Sequence, residues 1–141
     1  MATVLKATNQ TVKNLKGADK FFVLENLVDL AQVATGDVVQ ALAIAAGTKV
    51  LDVIVKVVTA CGLVATATVG DGTSAAGFDA STNLNATAGT LTNGLAGTDA
   101  LMTQGGKLYT ADDTIDLTCT ITAGPILAGK VLVKALCVDV N

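Results

Sequence analysis

The chain has 141 residues, a net charge of −3 and apolar residues at 51% of its length, enough for one domain with a sizeable core. It has no His, Arg or Trp: its basic residues are nine Lys, set against eleven Asp and one Glu. Without His the commonest general base and metal ligand is missing, and without Arg or a basic balance the field that nucleic acid requires is missing too. Thr is abundant and Glu nearly absent, which suits strands better than helices. Phe21, Phe22, Phe78 and Tyr109 are the aromatic residues, so the core must rest on Val, Leu, Ile and Ala. Each such side chain contributes roughly 1.5–3 kcal/mol when buried. A protomer built this way is expected to gain further burial by association.

Residues 1–19 are polar and carry Lys, with a loose echo between TVLKATN (Thr3–Asn9) and TVKNLKG (Thr11–Gly17). They read as an amino-terminal arm, with residues 20–141 as the folded domain. The stretch has no uninterrupted apolar segment and no small-residue cleavage site, so it does not match a signal peptide, and synthesis in a cytoplasm is expected. The apolar runs elsewhere are short and broken by Asp, Lys or Gly, so no membrane partner is expected.

Residues 20–35, KFFVLENLVDLAQVAT, carry two signals. Glu25, Asn26, Asp29 and Gln32 share one helical face, with Asp19 as a cap and Gly36 as a stop. The β-prone FFVL start and the strand-rich neighbourhood favour extended structure. Residues 36–72 then read as three β-rich runs, separated by AAGT (Ala45–Thr48) and Cys61–Gly62 and closed by Gly70–Gly72. Leu51, Val53, Val55 and Val57 alternate with Asp52, Ile54, Lys56 and Val58. Ile54 and Val58 make the second face apolar as well, so it should meet another layer or another subunit.

Residues 71–106 are rich in Gly, Ser, Thr, Asn and Ala and read as one long connection that a partner would order. Ile115, Leu117, Cys119 and Ile121 alternate with Thr118, Thr120 and Thr122 in the cleanest strand pattern of the chain. A turn around Pro125 leads into Lys130–Val140, apolar on both faces and therefore a central strand. Seven or eight strands with long connections imply an all-β, single-domain β-sandwich, the jelly roll being one such arrangement.

Chemistry-bearing motifs are sparse. Cys61, Cys119 and Cys137 lack C-x-x-C spacing and sit in apolar patterns, which reads as buried thiols in a reducing compartment. Gly70-Asp71-Gly72-Thr73 starts like a phosphate loop, but no Lys follows at the required spacing, so a turn is the better reading. Asp71 with Asp79, and Asp112 with Asp113, lack the D-x-D-x-D-G order of a calcium loop and read as turn carboxylates. No carboxylate pair is selected for glycoside hydrolysis. No catalytic residue, cofactor or metal is expected.

Several phrases in order carry a family resemblance: GDVVQALAIAAGTKVLDVIVKVVTA, TATVGDGTSAAGFDASTNLNATAG, GKLYTADDTIDLTCT and AGKVLVKALCVDV. Over residues 27–140 the chain resembles small tailed-phage and prophage structural proteins similar to capsid decoration, or cement, proteins. It departs at AIAAGT, where similar sequences often carry a proline. The resemblance implies a virion protein on the capsid exterior, with the major capsid protein and its own copies as partners, a trimer preferred. On that basis Lys6, Lys13 and Lys16 of the arm are expected to contact an acidic shell, and Phe78 and Leu84 to anchor the 71–106 loop on capsomers or neighbouring protomers. A tail or head-fibre component and a carbohydrate-binding sandwich are the alternatives, and the scarcity of aromatics weakens the second.

Overall fold

The computed structural model describes residues 2–7, 10–14, 21–93 and 99–140. Its strands are β1 (Thr3–Leu5), β2 (Thr11–Asn14), β3 (Phe21–Asp29), β4 (Val38–Ile44), β5 (Thr48–Thr59), β6 (Ala65–Gly70), β7 (Asp79–Asn83), β8 (Leu91–Asn93), β9 (Lys107–Tyr109), β10 (Asp113–Ile121) and β11 (Lys130–Asp139). They form two sheets that enclose one core. Sheet A is five-stranded in the order β1-β4-β10-β6-β7; sheet B runs β2-β3-β11-β5-β8, with β9 paired to the other end of β5. Between β3 and β11 the chain alternates between the two sheets except at β6–β7 and β8–β9, which places β3-β11-β5-β8 against β4-β10-β6-β7. That alternation is the double Greek key of a jelly roll. Among the described residues no helix is long and apolar enough to cross a membrane.

Period-2 patterning sets the inward faces. Ile115, Leu117, Cys119 and Ile121 of β10 are buried, as are Val131, Val133, Ala135 and Cys137 of β11. Each of these strands is the middle one of its sheet. The expected turns also form: Gly47 and Gly62 adopt φ of 86° and 75°, a region that costs glycine nothing. The extended reading of residues 20–35 holds for β3. Leu30–Asp37 then turn, and Gly36 (φ 85°) donates its amide to the Cys119 carbonyl at 2.7 Å.

The face of Leu51 differs from the sequence reading. Along β11, Leu136 pairs with Asp52 but Cys137 pairs with Val50, so β5 carries an extra residue there. This β-bulge shifts the inward set from Val50 and Asp52 to Val53, Val55 and Val57, and Leu51 is left half-exposed. A bulge reverses side-chain parity, and alternation counted along one strand cannot reveal it.

The described part of the expected arm lies along the sandwich. β1 runs parallel to β4 at one edge of sheet A, and β2 lies antiparallel to β3 at one edge of sheet B. Two amide side chains hold this crossing. Asn26, buried in β3, donates through Nδ2 to the carbonyls of Lys6 (2.6 Å) and Ala41 (2.9 Å), tying sheet B to the end of β1 and to β4 in sheet A. Gln10 accepts from the Ala43 amide (2.5 Å) and donates to the Ala43 carbonyl (3.1 Å), as a backbone partner would.

The long 71–106 connection is likewise anchored internally in its described part. It contributes β7 and β8 and sinks Phe78, Leu84 and Leu101 into the core. Gly77 lets Leu101 approach: a Cβ there would lie 2.5 Å from Leu101 Cδ1.

Candidate functional site

A dense polar cluster joins the ends of the two sheets. Asp71 follows β6 of sheet A; Lys107 and Tyr109 are alternate residues of β9 in sheet B, so both point to the same side. The Asp71 side chain is fully buried and accepts five hydrogen bonds. One oxygen, Oδ1, takes the Thr73 amide (2.9 Å), the Thr73 hydroxyl (2.8 Å) and the Ser74 amide (2.8 Å), forming the turn that GDGT announces. The other, Oδ2, takes Lys107 Nζ at 2.6 Å and the Tyr109 hydroxyl at 2.8 Å. Lys107 also donates to the Thr73 hydroxyl (3.0 Å), and its Nζ sits 4.7 Å from the centre of the Tyr109 ring.

The electrostatics follow from this geometry. Burial alone would raise the Asp71 pKa, but the bonds from Lys107, Tyr109, Ser74 and Thr73 outweigh it and hold the carboxyl well below its usual range. Tyr109 is pushed far above an ordinary phenol by burial, by its bond to Asp71 and by the nearby charges of Asp71, Asp113 and Asp116. Asp116, buried on β10, is raised by burial and by its neighbours Asp113 and Asp71, against a lowering bond from the Thr114 hydroxyl (2.7 Å).

A phenol held protonated and a carboxylate saturated with donors are poor catalysts, and together they make a clamp. A hollow of about 400 Å³ flanks the Ala45–Thr48 turn, lined by Leu108, Tyr109 and Val140, but the Tyr109 hydroxyl is already committed to Asp71. A second, of about 270 Å³, reaches Asp112 and Asp113. Their carboxylates accept the amides of Ala46 (3.0 Å) and Thr114 (2.8 Å). Asp79 is likewise turned onto its own strand, accepting the Ser81 amide and the Thr82 hydroxyl. Among the described residues no three His, Cys, Asp or Glu are grouped to hold a metal.

The residues expected to make contacts fare differently. Phe78 and Leu84 are each 0% exposed, which corrects their assignment as anchors for a partner: both fill the protein's own core. They are large apolar side chains in a small-residue loop, and the interior claims both. Lys6 is half-buried at the end of β1, its amide bonded to Gln40 and its carbonyl to Asn26. Lys13 lies on β2 opposite Val23, its side chain outside the described residues, as is the whole of Lys16. The Asp71 clamp was not recognised from the sequence as a site. Its signal was the pair of phrases VGDG and GKLY, separated by 36 residues and joined only in the fold.

The two outer faces contrast. Sheet A presents Thr66, Thr68, Thr118 and Thr120 in register across β6 and β10. Sheet B presents apolar residues, with Phe21 43%, Leu27 49% and Val58 39% exposed.

No protein-family model and no curated protein matches the chain. Solved structures do, and those that align well are phage capsid chains. A chain in the capsid of Ralstonia phage GP4 superposes with a TM-score of 0.64 at 12% identity, covering 99% of this chain and 97% of that one. A chain in the acidic stable capsid of Helicobacter pylori bacteriophage KHP30 gives 0.57 at 12% identity, covering 92% of each. One in the capsid asymmetric unit of cyanophage Pam1 gives 0.56 at 17% identity, covering 84% of each. The fold is therefore that of a β-sandwich found in phage capsids.

Proposed function

We propose that this chain is a virion structural protein of a tailed phage: a decoration, or cement, protein that binds the outside of an icosahedral head through the major capsid protein and stabilises it. The observation carrying this reading is the end-to-end likeness to capsid chains, with both members of the GP4 pair covered almost completely. The family resemblance in the sequence points the same way. The protein acts without catalysis, its saturated polar cluster at Asp71 serving as a clamp.

The mechanism is linkage. A protein that binds the mature lattice and not its dissociated parts stabilises it by RT ln(1 + [L]/Kd), about 2.7 kcal/mol per site at a hundredfold excess over Kd, and the effect multiplies over many sites. A homo-oligomer that touches several capsomers gains further through effective concentration. A trimer suits threefold lattice positions.

The test compares phage particles assembled with and without the protein, heated while genome release is followed. Release at a higher temperature with the protein bound is expected. Identical release temperatures at high occupancy would refute cementing and favour a fibre component.

A further inference from the structure

We propose that the outer face of sheet B is the surface through which copies of this chain associate. Outward residues of its three long strands are mostly apolar, with Phe21 and Leu27 on β3, Leu132 and Leu136 on β11, and Ile54 and Val58 on β5 surrounding Glu25, Lys134 and Lys56. Register places Leu132 beside Leu27 and Leu136 beside Val23. Phe21, Leu27 and Val58 are 39–49% exposed and the other three apolar side chains are half-buried among their neighbours. A solvated sheet face normally alternates to polar residues, as the Thr-lined face of sheet A does.

The size of the face fits a protein partner. β3, β11 and β5 have 9, 10 and 12 residues. At a rise of about 3.3 Å per residue and a strand spacing of about 4.8 Å, these three strands cover roughly 490 Å² in plan, and the whole sheet with β2, β8 and β9 roughly 650 Å². Side-chain relief makes its accessible area larger, close to the ~800 Å² that each partner contributes to a standard interface.

Its charges point to a second copy. Lys134 pairs with Glu25 inside the face, Nζ to Oε2 3.4 Å, and Lys130 stands in register with Asp29. Lys56, exposed beside Leu132, adds one positive charge to these pairs, so the face stays close to neutral and requires no strongly opposite field from its partner. The β7 and β8 edges offer no competing route. β8 has three residues, and β7 is polar, with Asp79 and Asn83 bonded to nearby amides. This inference rests on the homo-oligomer in the reading above and not on shell binding.

Light scattering on the purified full-length chain at tens of micromolar tests it. The unaltered chain should have a mass of two or more protomers. Leu27→Lys combined with Leu132→Lys should reduce it to one, and Thr118→Lys combined with Thr120→Lys on sheet A should leave it unchanged. A measurement on the unaltered chain covers the case in which the double variant fails to fold. Amine labelling followed by mass spectrometry should show Lys56 and Lys134 protected several-fold as concentration rises, with Lys107 unaffected. A monomeric unaltered chain, an oligomer broken by the sheet A variant alone, or concentration-independent labelling would each overturn the proposal. Sheet B variants that stay oligomeric but no longer bind particles would show that the shell occupies this face, and also overturn it. If the unaltered chain is oligomeric through sheet B yet binds no particle, shell binding fails and this inference stands.

Discussion

Replacing Asp71 by Asn tests the clamp at its centre with almost no change in volume. The Asn oxygen can keep the three bonds from Thr73 and Ser74. The amide nitrogen that replaces Oδ2 cannot accept from Lys107 or from the Tyr109 hydroxyl, now 2.6 and 2.8 Å away. Lys107 is 25% exposed at its side chain, so its charge can turn to water, and this limits the cost. Loss of a charge-assisted bond costs about 1.5–3 kcal/mol, and weakening of the rest brings the expected loss to about 2–4 kcal/mol at neutral pH. For a chain of this size that lowers Tm by roughly 6–12 °C.

Urea unfolding followed by circular dichroism and by tyrosine fluorescence measures the loss at a fixed protein concentration, because association would itself shift the midpoint. Tyr109 is the sole tyrosine and there is no tryptophan, so the fluorescence comes from the clamp itself. Because the folded-state carboxyl pKa is depressed, the unfolded chain binds more protons across the acid range. The contribution of Asp71 is therefore complete above the unfolded value near pH 4 and drains away as pH falls further. The gap between the two proteins should narrow towards pH 2. A loss under about 0.5 kcal/mol at pH 7, or a gap unchanged down to pH 2, would refute the clamp.

Asp116 should behave oppositely. Its folded pKa is raised, so its ionised form opposes folding as pH rises above the unfolded value; Asp116→Asn should stabilise at pH 7, with the gain vanishing below about pH 4 in the same titration. Leu117→Ala on the inward face of β10 should cost roughly 2–5 kcal/mol and Thr118→Ala on the outward face under about 1, measured by urea unfolding; equal effects would refute the register. Deleting residues 2–7 removes β1 and leaves Asn26 Nδ2 with one of its two acceptors, so thermal unfolding should show a loss of about 1–3 kcal/mol. No change would mean that the segment lies on the sandwich without supporting it.

The sequence by itself determined the β-sandwich, its central strand β11 and the inward register of β10, because alternation and turn residues are local and each needs only a few neighbours in the chain. It also identified the turns at Gly47 and Gly62, where backbone geometry selects the residue. Tertiary structure alone decided the rest. The bulge at Leu51 depends on which residues β11 offers across the ladder, and β1 and β2 exist as strands only because β4 and β3 lie ready to pair with them. Phe78 and Leu84 have the property a partner's anchor needs, being large apolar side chains in a loop of small residues. Composition does not say whether the core or a partner takes them, and the core is nearer. The Asp71 clamp was invisible for the same reason: its carboxylate and its Lys and Tyr donors are ordinary in their own segments. Burial, by removing water, is what turns their meeting across 36–38 residues into a strong interaction.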